Sequence, residues 1–250
     1  MARADLSPWG DPGLVSRRLH HTPLPETAQE LVLSDSATRH AQVLRLRPGQ
    51  SLVLFDGRGR EADAQILELG PPLRCVVQSA REVPSLRPRV VLCQCVPKGG
   101  KLDRLVRATT EIGVTSIHLA LSERCVARPS ATAFEKLARL DRVAREAARQ
   151  SGRATVPDVV GPARLEHVAA RAPETARRLV AAPGGGPITG EADEAWIVVG
   201  PEGGLTEAEL TSLERLGYER VSLGPTVLRT ETAAIVGCAL VSAAFRDRGG

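Results

Sequence analysis

Near the carboxyl end, Gly200-Pro201-Glu202-Gly203-Gly204 and Leu223-Gly224-Pro225 combine open backbone with a carboxylate, and Arg229 follows the second bend. Each bend closes a short apolar run, Trp196-Ile197-Val198-Val199 in the first case and Val221-Ser222-Leu223 in the second. Four β-favouring residues in a row suit a strand buried on both faces, and glycine lets the chain turn where a side chain would clash. In an open α/β sheet ligands settle beyond the carboxyl ends of the strands, so two such bends side by side would line one pocket. Glu202 would repel a pyrophosphate there; a carboxylate beside open backbone amides suits a neutral or cationic ligand. The same glycine clusters also suit ordinary strand-to-helix turns.

Other chemistries are excluded by spacing. Pro97-Lys98-Gly99-Gly100-Lys101 has neither the earlier glycine nor the following Ser or Thr of a phosphate loop, and residues 200–204 do not fit Gly-x-Gly-x-x-Gly, which disfavours an oxidoreductase. Five cysteines (Cys75, Cys93, Cys95, Cys125, Cys238) are odd in number and form no Cys-x-x-Cys pair, arguing against zinc and against a disulfide framework. His40 stands without a second catalytic type nearby and reads as a packed or locally bonded histidine.

Two kinds of pattern must position these residues. Over 17–83 short alternating strands, 31–33, 51–55, 62–69 and 73–79, are separated by Asp56-Gly57-Arg58-Gly59 and Gly70-Pro71-Pro72, which predicts a small β-barrel with a short helix capped near Ser34. Residues 84–89, Pro-Ser-Leu-Arg-Pro-Arg, suit a linker. From 90 to 250 strands and helices alternate, among them a helix over 98–112 ended by Gly113 and a strand over 178–182 followed by the glycine-rich loop 183–187, predicting an α/β domain with a mostly parallel sheet covered on both faces. Thr206 with Glu209 forms a capping box for a helix to Gly217, and Thr230 or Thr232 is placed to cap the last helix, which runs to about Phe245. Residues 1–16 have no period and read as a leader without signal-peptide order; no apolar run reaches membrane-spanning length, so a soluble, cytoplasmic protein is expected.

The net charge of +4 permits a nucleic-acid partner without requiring one, since charge of this size also suits simple solubility, and its distribution matters more than its sum. Arg39, Arg45, Arg47, Arg58 and Arg60 crowd the first quarter, Lys98, Lys101, Arg104 and Arg107 recur at helical spacing, and Arg149 and Arg153 flank a Gly turn. Aromatic residues make up only 2% of the chain, which weighs against base-stacking platforms.

Four segments together resemble the RsmE-type family of ribosomal RNA uracil-N3 methyltransferases, in the SPOUT class. They are His40-Ala41-Gln42-Val43-Leu44-Arg45 with Phe55-Asp56-Gly57, then Lys98 to Gly113, then Glu146 to Arg153, and finally the two Gly-Pro bends, the second continuing Leu228-Arg229-Thr230-Glu231-Thr232-Ala233. The resemblance implies a PUA-like β-barrel RNA-binding domain followed by a SPOUT domain threaded through a trefoil knot, acting as a homodimer on small-subunit ribosomal RNA with S-adenosyl-L-methionine (AdoMet) as methyl donor. It places that donor on Ala182 and Pro183, on Gly200, Pro201, Glu202 and Gly203, and on Ser222, Leu223, Gly224, Leu228 and Thr230; no metal is implied. The uracil imide must lose a proton for methylation, so Arg229 is the first candidate to stabilise the anion or position the base, and Glu202 to accept the proton or complement the sulfonium. An ion pair of Arg229 with Glu231 or Glu202 is the structural alternative. Arg39, Arg45, Lys98, Lys101, Arg149 and Arg153 are the candidate RNA contacts. Competing readings are a SPOUT enzyme acting on transfer RNA or a 2′-hydroxyl, and a non-catalytic RNA-binding protein.

Overall fold

A computed structural model describes residues 17–26, 28–125 and 133–245, and for 133–135 the backbone alone. The leader expected over residues 1–16 lies outside them. The chain divides into two compact units, and the cut is not a single one at the proline-rich linker: Arg145–Val156 belongs with the residues up to Ser85, whereas Leu86–Ala144 and the chain from Pro157 onward form the second unit.

The first unit is built on β1 (Arg18–His20), β2 (Glu30–Val32), α1 (Asp35–Val43), β3 (Ser51–Phe55), β4 (Arg60–Leu69) and β5 (Leu73–Glu82). The sheet order is β1-β3-β4-β5-β2, with β1 parallel to β3 and the other pairs antiparallel. Alternation sends Leu52 and Leu54, then Ala62, Ala64 and Ile66, into one core with Leu73, Cys75 and Val77. The Ser34 hydroxyl caps α1 by accepting from the Ala37 amide, and Ala37 and Ala41 close the core.

Val53 and Phe55 are buried as well, so β3 is covered on its second face. Arg145–Val156 supplies the cover. The Val156 amide donates to Gly57 (2.9 Å), the Gly59 amide donates to Ala154 (3.2 Å), and the Arg18 guanidinium donates to Glu61 Oε1 (2.5 Å) and to the Arg153 carbonyl (3.1 Å) while lying over the Phe55 ring.

The second unit alternates β6 (Arg89–Cys95), α2 (Lys101–Ile112), β7 (Ser116–Leu121), the larger part of α3 (Ala133–Gln150), β8 (Asp158–Arg164), α4 (Leu165–Ala169), β9 (Arg177–Gly186), β10 (Glu194–Val199), α5 (Glu207–Arg215), β11 (Glu219–Val221) and α6 (Thr230–Ala244). Every pairing is parallel, in the order β11-β9-β10-β6-β7-β8. Trp196 and Val198 face a core with α4 and α5 side chains, whereas Ile197 lies against α6. That helix also packs on α2 and β6. Gly113, at φ 113° in the left-handed region, ends α2 as its sequence position predicts.

Candidate active site

Because β9 lies between β10 and β11 and all three run parallel, their carboxyl ends stand side by side. Pro183–Gly186, which reads as a loop in sequence, is the end of β9, and the Ser222 amide donates to the Gly186 carbonyl at 2.8 Å. Strand β11 can approach this closely because residue 185 is glycine: a Cβ there would stand 2.5 Å from the Val221 backbone. Ala182 is buried and Pro183 exposed. In the next turn Pro201 is buried, Gly200 half-buried, and Glu202 and Gly203 exposed; the Gly204 amide closes the turn on the Pro201 carbonyl (2.9 Å). The capping box of Thr206 and Glu209 then opens α5 as expected. In the last turn Ser222 Oγ accepts from the Gly224 amide (3.3 Å), and Leu223 and Leu228 are half-buried. A Cβ on Gly186, Gly204 or Gly224 would enter open space, so the three strand ends form a backbone cradle with room above it.

Thr230 joins the two Gly-Pro bends. It does not cap α6: the N-cap is Arg229, with no side-chain cap bond, and Thr230 is already helical. Its hydroxyl instead donates to the Gly200 carbonyl (2.7 Å) and accepts from Gln94 Nε2 (3.0 Å), since a helical threonine at this place reaches the neighbouring strand end more readily than its own first turn. Gln94 is fully buried and also donates to the Cys95 carbonyl (2.8 Å). The bends are therefore fixed to β6 and to each other.

Charge is arranged around this joint. Glu202 Oε1 accepts from Lys101 Nζ at 2.6 Å, and both Glu202 oxygens lie within 3.2 Å of the Lys98 amide. Burial pushes the Glu202 carboxyl up, but the hydrogen bonds from Lys101 and the backbone outweigh it and hold it below the ordinary carboxylate range. A carboxyl so held is a poor proton acceptor. Glu231 is buried in the first turn of α6, with Lys101 Nζ 3.8 Å from its Oε2. Arg229 is exposed and makes no ion pair among the described residues, because Lys101 takes both nearby carboxylates. Arg124, not singled out in sequence, donates to the Gly203 carbonyl at 2.7 Å. No periodicity marks it.

The cations expected to meet RNA separate into two groups. Arg39, Arg45 and Lys98 are exposed. Lys101 is tied to Glu202, and Arg149 is buried, its Nε and Nη2 held by Glu146 at 3.0 and 2.6 Å. Arg153 is half-buried and donates to Thr155 (3.1 Å), and burial lowers its guanidinium to about 10. Arg149 and Arg153 are thus interior groups of the first unit, placed there because the segment that carries them covers β3. His40 is close by; burial and then the Arg149 charge lower its pKa, and its Nε2 is buried without a partner. A polar cleft of about 510 Å3, lined by Thr22, Leu24, Asp56, Arg58, Arg60 and Glu82 among others, lies in the first unit.

Comparison with known proteins accounts for both units. A family model described as an RNA methyltransferase domain matches residues 84–242, and one described as an RNA methyltransferase PUA domain matches residues 33–76. A Ribosomal RNA small subunit methyltransferase E from Mycobacterium bovis is 38% identical over 230 residues, covering 85% of this chain and 86% of the relative. The Synechocystis protein of the same name is 32% identical, covering 81% of this chain and 69% of the relative. Among solved structures, the Neisseria gonorrhoeae methyltransferase of that name, bound to S-adenosyl methionine, superposes with a TM-score of 0.85 at 29% identity, covering 92% of this chain and 98% of the other. A Legionella pneumophila protein with the same cofactor bound gives a TM-score of 0.84, again at 29% identity and with the same coverage. With a parallel α/β unit whose strand ends form a backbone cradle, a PUA-type unit before it, and relatives this similar over most of their length, the chain belongs to the ribosomal RNA small subunit methyltransferase E family.

Proposed function

We propose that this protein transfers the methyl group of AdoMet to N3 of a uridine in small-subunit (16S) ribosomal RNA. The observation that carries the reading is the joint at Thr230, which fixes two Gly-Pro bends side by side and leaves Arg229 exposed at the helix start beside them. The donor set suits AdoMet. Backbone of Ala182–Pro183, Gly200–Gly203 and Ser222–Leu228 would hold its adenosine end, in a cradle where added Cβ atoms would take up the space, and Glu202 and Glu231 offer negative charge to a cationic ligand. When bound, AdoMet supplies an electrophilic methyl group on a sulfonium.

The residues of the chain do the remainder. Arg229 presents a permanent charge and a planar fork to the uracil carbonyl oxygens on which the imide anion is delocalised. Glu202 complements positive charge, and its depressed pKa argues against its being the proton acceptor. Arg39, Arg45 and Lys98 are free to meet phosphate. Arg149 and Arg153 contribute by holding the surface in shape.

The same reading includes a homodimer. Helix α6, Thr-Glu-Thr-Ala-Ala-Ile-Val-Gly-Cys-Ala-Leu-Val-Ser-Ala-Ala, is apolar on nearly every side, yet Leu240 is 41% exposed and Val227, just before it, 93% exposed. A helix apolar all round is normally covered, and a second copy would cover this one. The placement of β9 between β10 and β11 is compatible with the knotted threading of this class. Among the described residues no helix is long and apolar enough to cross a membrane, which accords with action on ribosomal RNA in the cytoplasm.

Two measurements test the reading together. Calorimetry should give saturable AdoMet binding by the folded chain. Mass mapping of nucleosides from cells lacking the protein, against complemented cells, should show loss and return of one N3-methyluridine in small-subunit RNA. An unchanged RNA overturns the substrate, and a chain indifferent to AdoMet overturns the enzyme.

A further inference from the structure

We propose that Lys101 is a positioning residue for methyl transfer, an ammonium shared between Glu202 and Glu231 that holds the first turn of α6, and Arg229 with it, against the Gly200–Gly204 turn. The proposal rests on the methyltransferase reading but gives Lys101 a role different from the phosphate contact that its basic neighbourhood suggests.

Three segments converge on this one ammonium. Lys101 is the first residue of α2, Glu202 lies in the turn after β10, and Glu231 is the second residue of α6. The Nζ stands 2.6 Å from Glu202 Oε1 and 3.8 Å from Glu231 Oε2, and the charged groups that face it are these two carboxylates and Arg229. The Glu231 side chain is only 9% exposed, and its Oε2 has no hydrogen-bond partner. A carboxylate buried with an open oxygen is unfavourable unless a cation lies close, and the start of a helix alone supplies only part of that compensation. Lys101 is the cation in place. The pair with Glu202 raises the Lys101 pKa, and its hydrogen bond lowers that of Glu202 against the effect of burial, so this pair is ionised near neutral pH.

Without the ammonium, two carboxylates would be left beside a single cation, Arg229. The guanidinium would then turn to them and away from the base, and the Glu202 carboxyl would titrate higher. A phosphate-binding lysine has other consequences: its removal weakens RNA binding and reduces the salt dependence of that binding by about one unit of slope.

The test compares Lys101→Met with wild type in full-length protein, with Glu231→Gln as a second variant that keeps the lysine. Single-turnover methylation of small-subunit RNA should fall at least tenfold in Lys101→Met, with KM for RNA and the salt slope unchanged, and the acid limb of the rate profile should move to higher pH. Lys101→Arg should restore most of the rate. Glu231→Gln should lose rate even at saturating AdoMet. A raised KM for RNA with a smaller salt slope and an unmoved pH limb overturns the proposal in favour of phosphate contact. Carbon-13 titration of the glutamate carboxyls needs no RNA and separates this idea from the choice of substrate: one carboxyl must move up in Lys101→Met, and if none moves the shared ammonium is refuted even where methylation is confirmed. Thermal unfolding identifies a variant that fails to fold, in which case Glu231→Gln and the titration of wild type decide.

Discussion

Arg229 and Glu202 look equivalent in sequence, as one charged residue in each of two similar bends, but their surroundings divide the work. Glu202 has an ammonium and a backbone amide on its carboxylate, whereas the guanidinium of Arg229 is uncommitted. An uncommitted guanidinium can meet a developing anion without first breaking an ion pair, which is what preorganised electrostatic catalysis needs. Arg229→Ala should therefore leave the AdoMet dissociation constant within about twofold and lower single-turnover transfer by about 10²–10³, the range seen on removal of one donor from an anion hole. Arg229→Lys keeps the charge but not the planar fork and should recover only part of the rate. The check is AdoMet calorimetry beside quench-flow methylation of the same preparations; normal transfer in Arg229→Ala removes the residue from the chemistry. Neither the pairing of Lys101 nor the burial of Arg149 is visible in residue order. The first depends on Glu202, which the fold brings up from a turn 101 residues further on, and the second on Arg145–Val156 joining the first unit; the partner of Arg149, Glu146, is local, three residues back on the same helix.

At the scale of elements, the cradle depends on how closely β11 lies against β9. Gly185 permits it, and the atoms that a Cβ would meet are the N, Cα and C of Val221, which cannot turn aside as a side chain would. Gly185→Ala should cost about 1–3 kcal/mol of stability, the usual range for forcing an extra carbon into packed surroundings, and should weaken AdoMet binding because two walls of the cradle shift together. Gly186→Ala is the control: its Cβ has no neighbour within 4 Å, so stability should hold. If the open space above residue 186 is where the methyl donor sits, that variant loses AdoMet affinity while its denaturation midpoint is unchanged. A Gly185→Ala protein with wild-type midpoint and affinity would show that β11 can be displaced freely. Much of this scale was legible in the chain. The buried run Trp196–Val199, the capping box at Thr206 and the Gly113 stop all sit where local pattern put them. What pattern could not show is structure set by partners far away in sequence. Arg18–His20 becomes a strand because β3 offers it an edge, Pro183–Gly186 stays extended because β11 pairs with it, and Arg145–Val156 joins the first unit because β3 has a second apolar face to cover.

Over the whole molecule, titration exposes how the interior is charged. His20, His21, His40 and His118 all have pKa values below the ordinary imidazole value of 6.5, and burial is the leading cause for each. An imidazole with a folded-state pKa below its unfolded value binds its proton more tightly when the chain is unfolded. Stability is therefore full above about pH 7 and declines as pH falls from about 6.5 through the lowered values, with a limiting slope of about 1.4 kcal/mol per pH unit for each histidine. Carboxylates such as Glu202 and Glu146, with pKa values held below the ordinary 4.5, add their loss only at more acid pH, so the window between about pH 5 and 7 isolates the histidines. His118 can be followed alone, because its ring lies 4.8 Å from that of Trp196 and its Nδ1 is buried without a partner. In a Trp9→Phe background, Trp196 fluorescence should be quenched on acidification with a midpoint below pH 6.5, and His118→Gln should abolish that transition and flatten part of the decline in urea stability over the same window. A midpoint at or above 6.5 would mean that His118 is solvated in solution, and a urea midpoint that does not change between pH 7 and 5 would mean the same of all four.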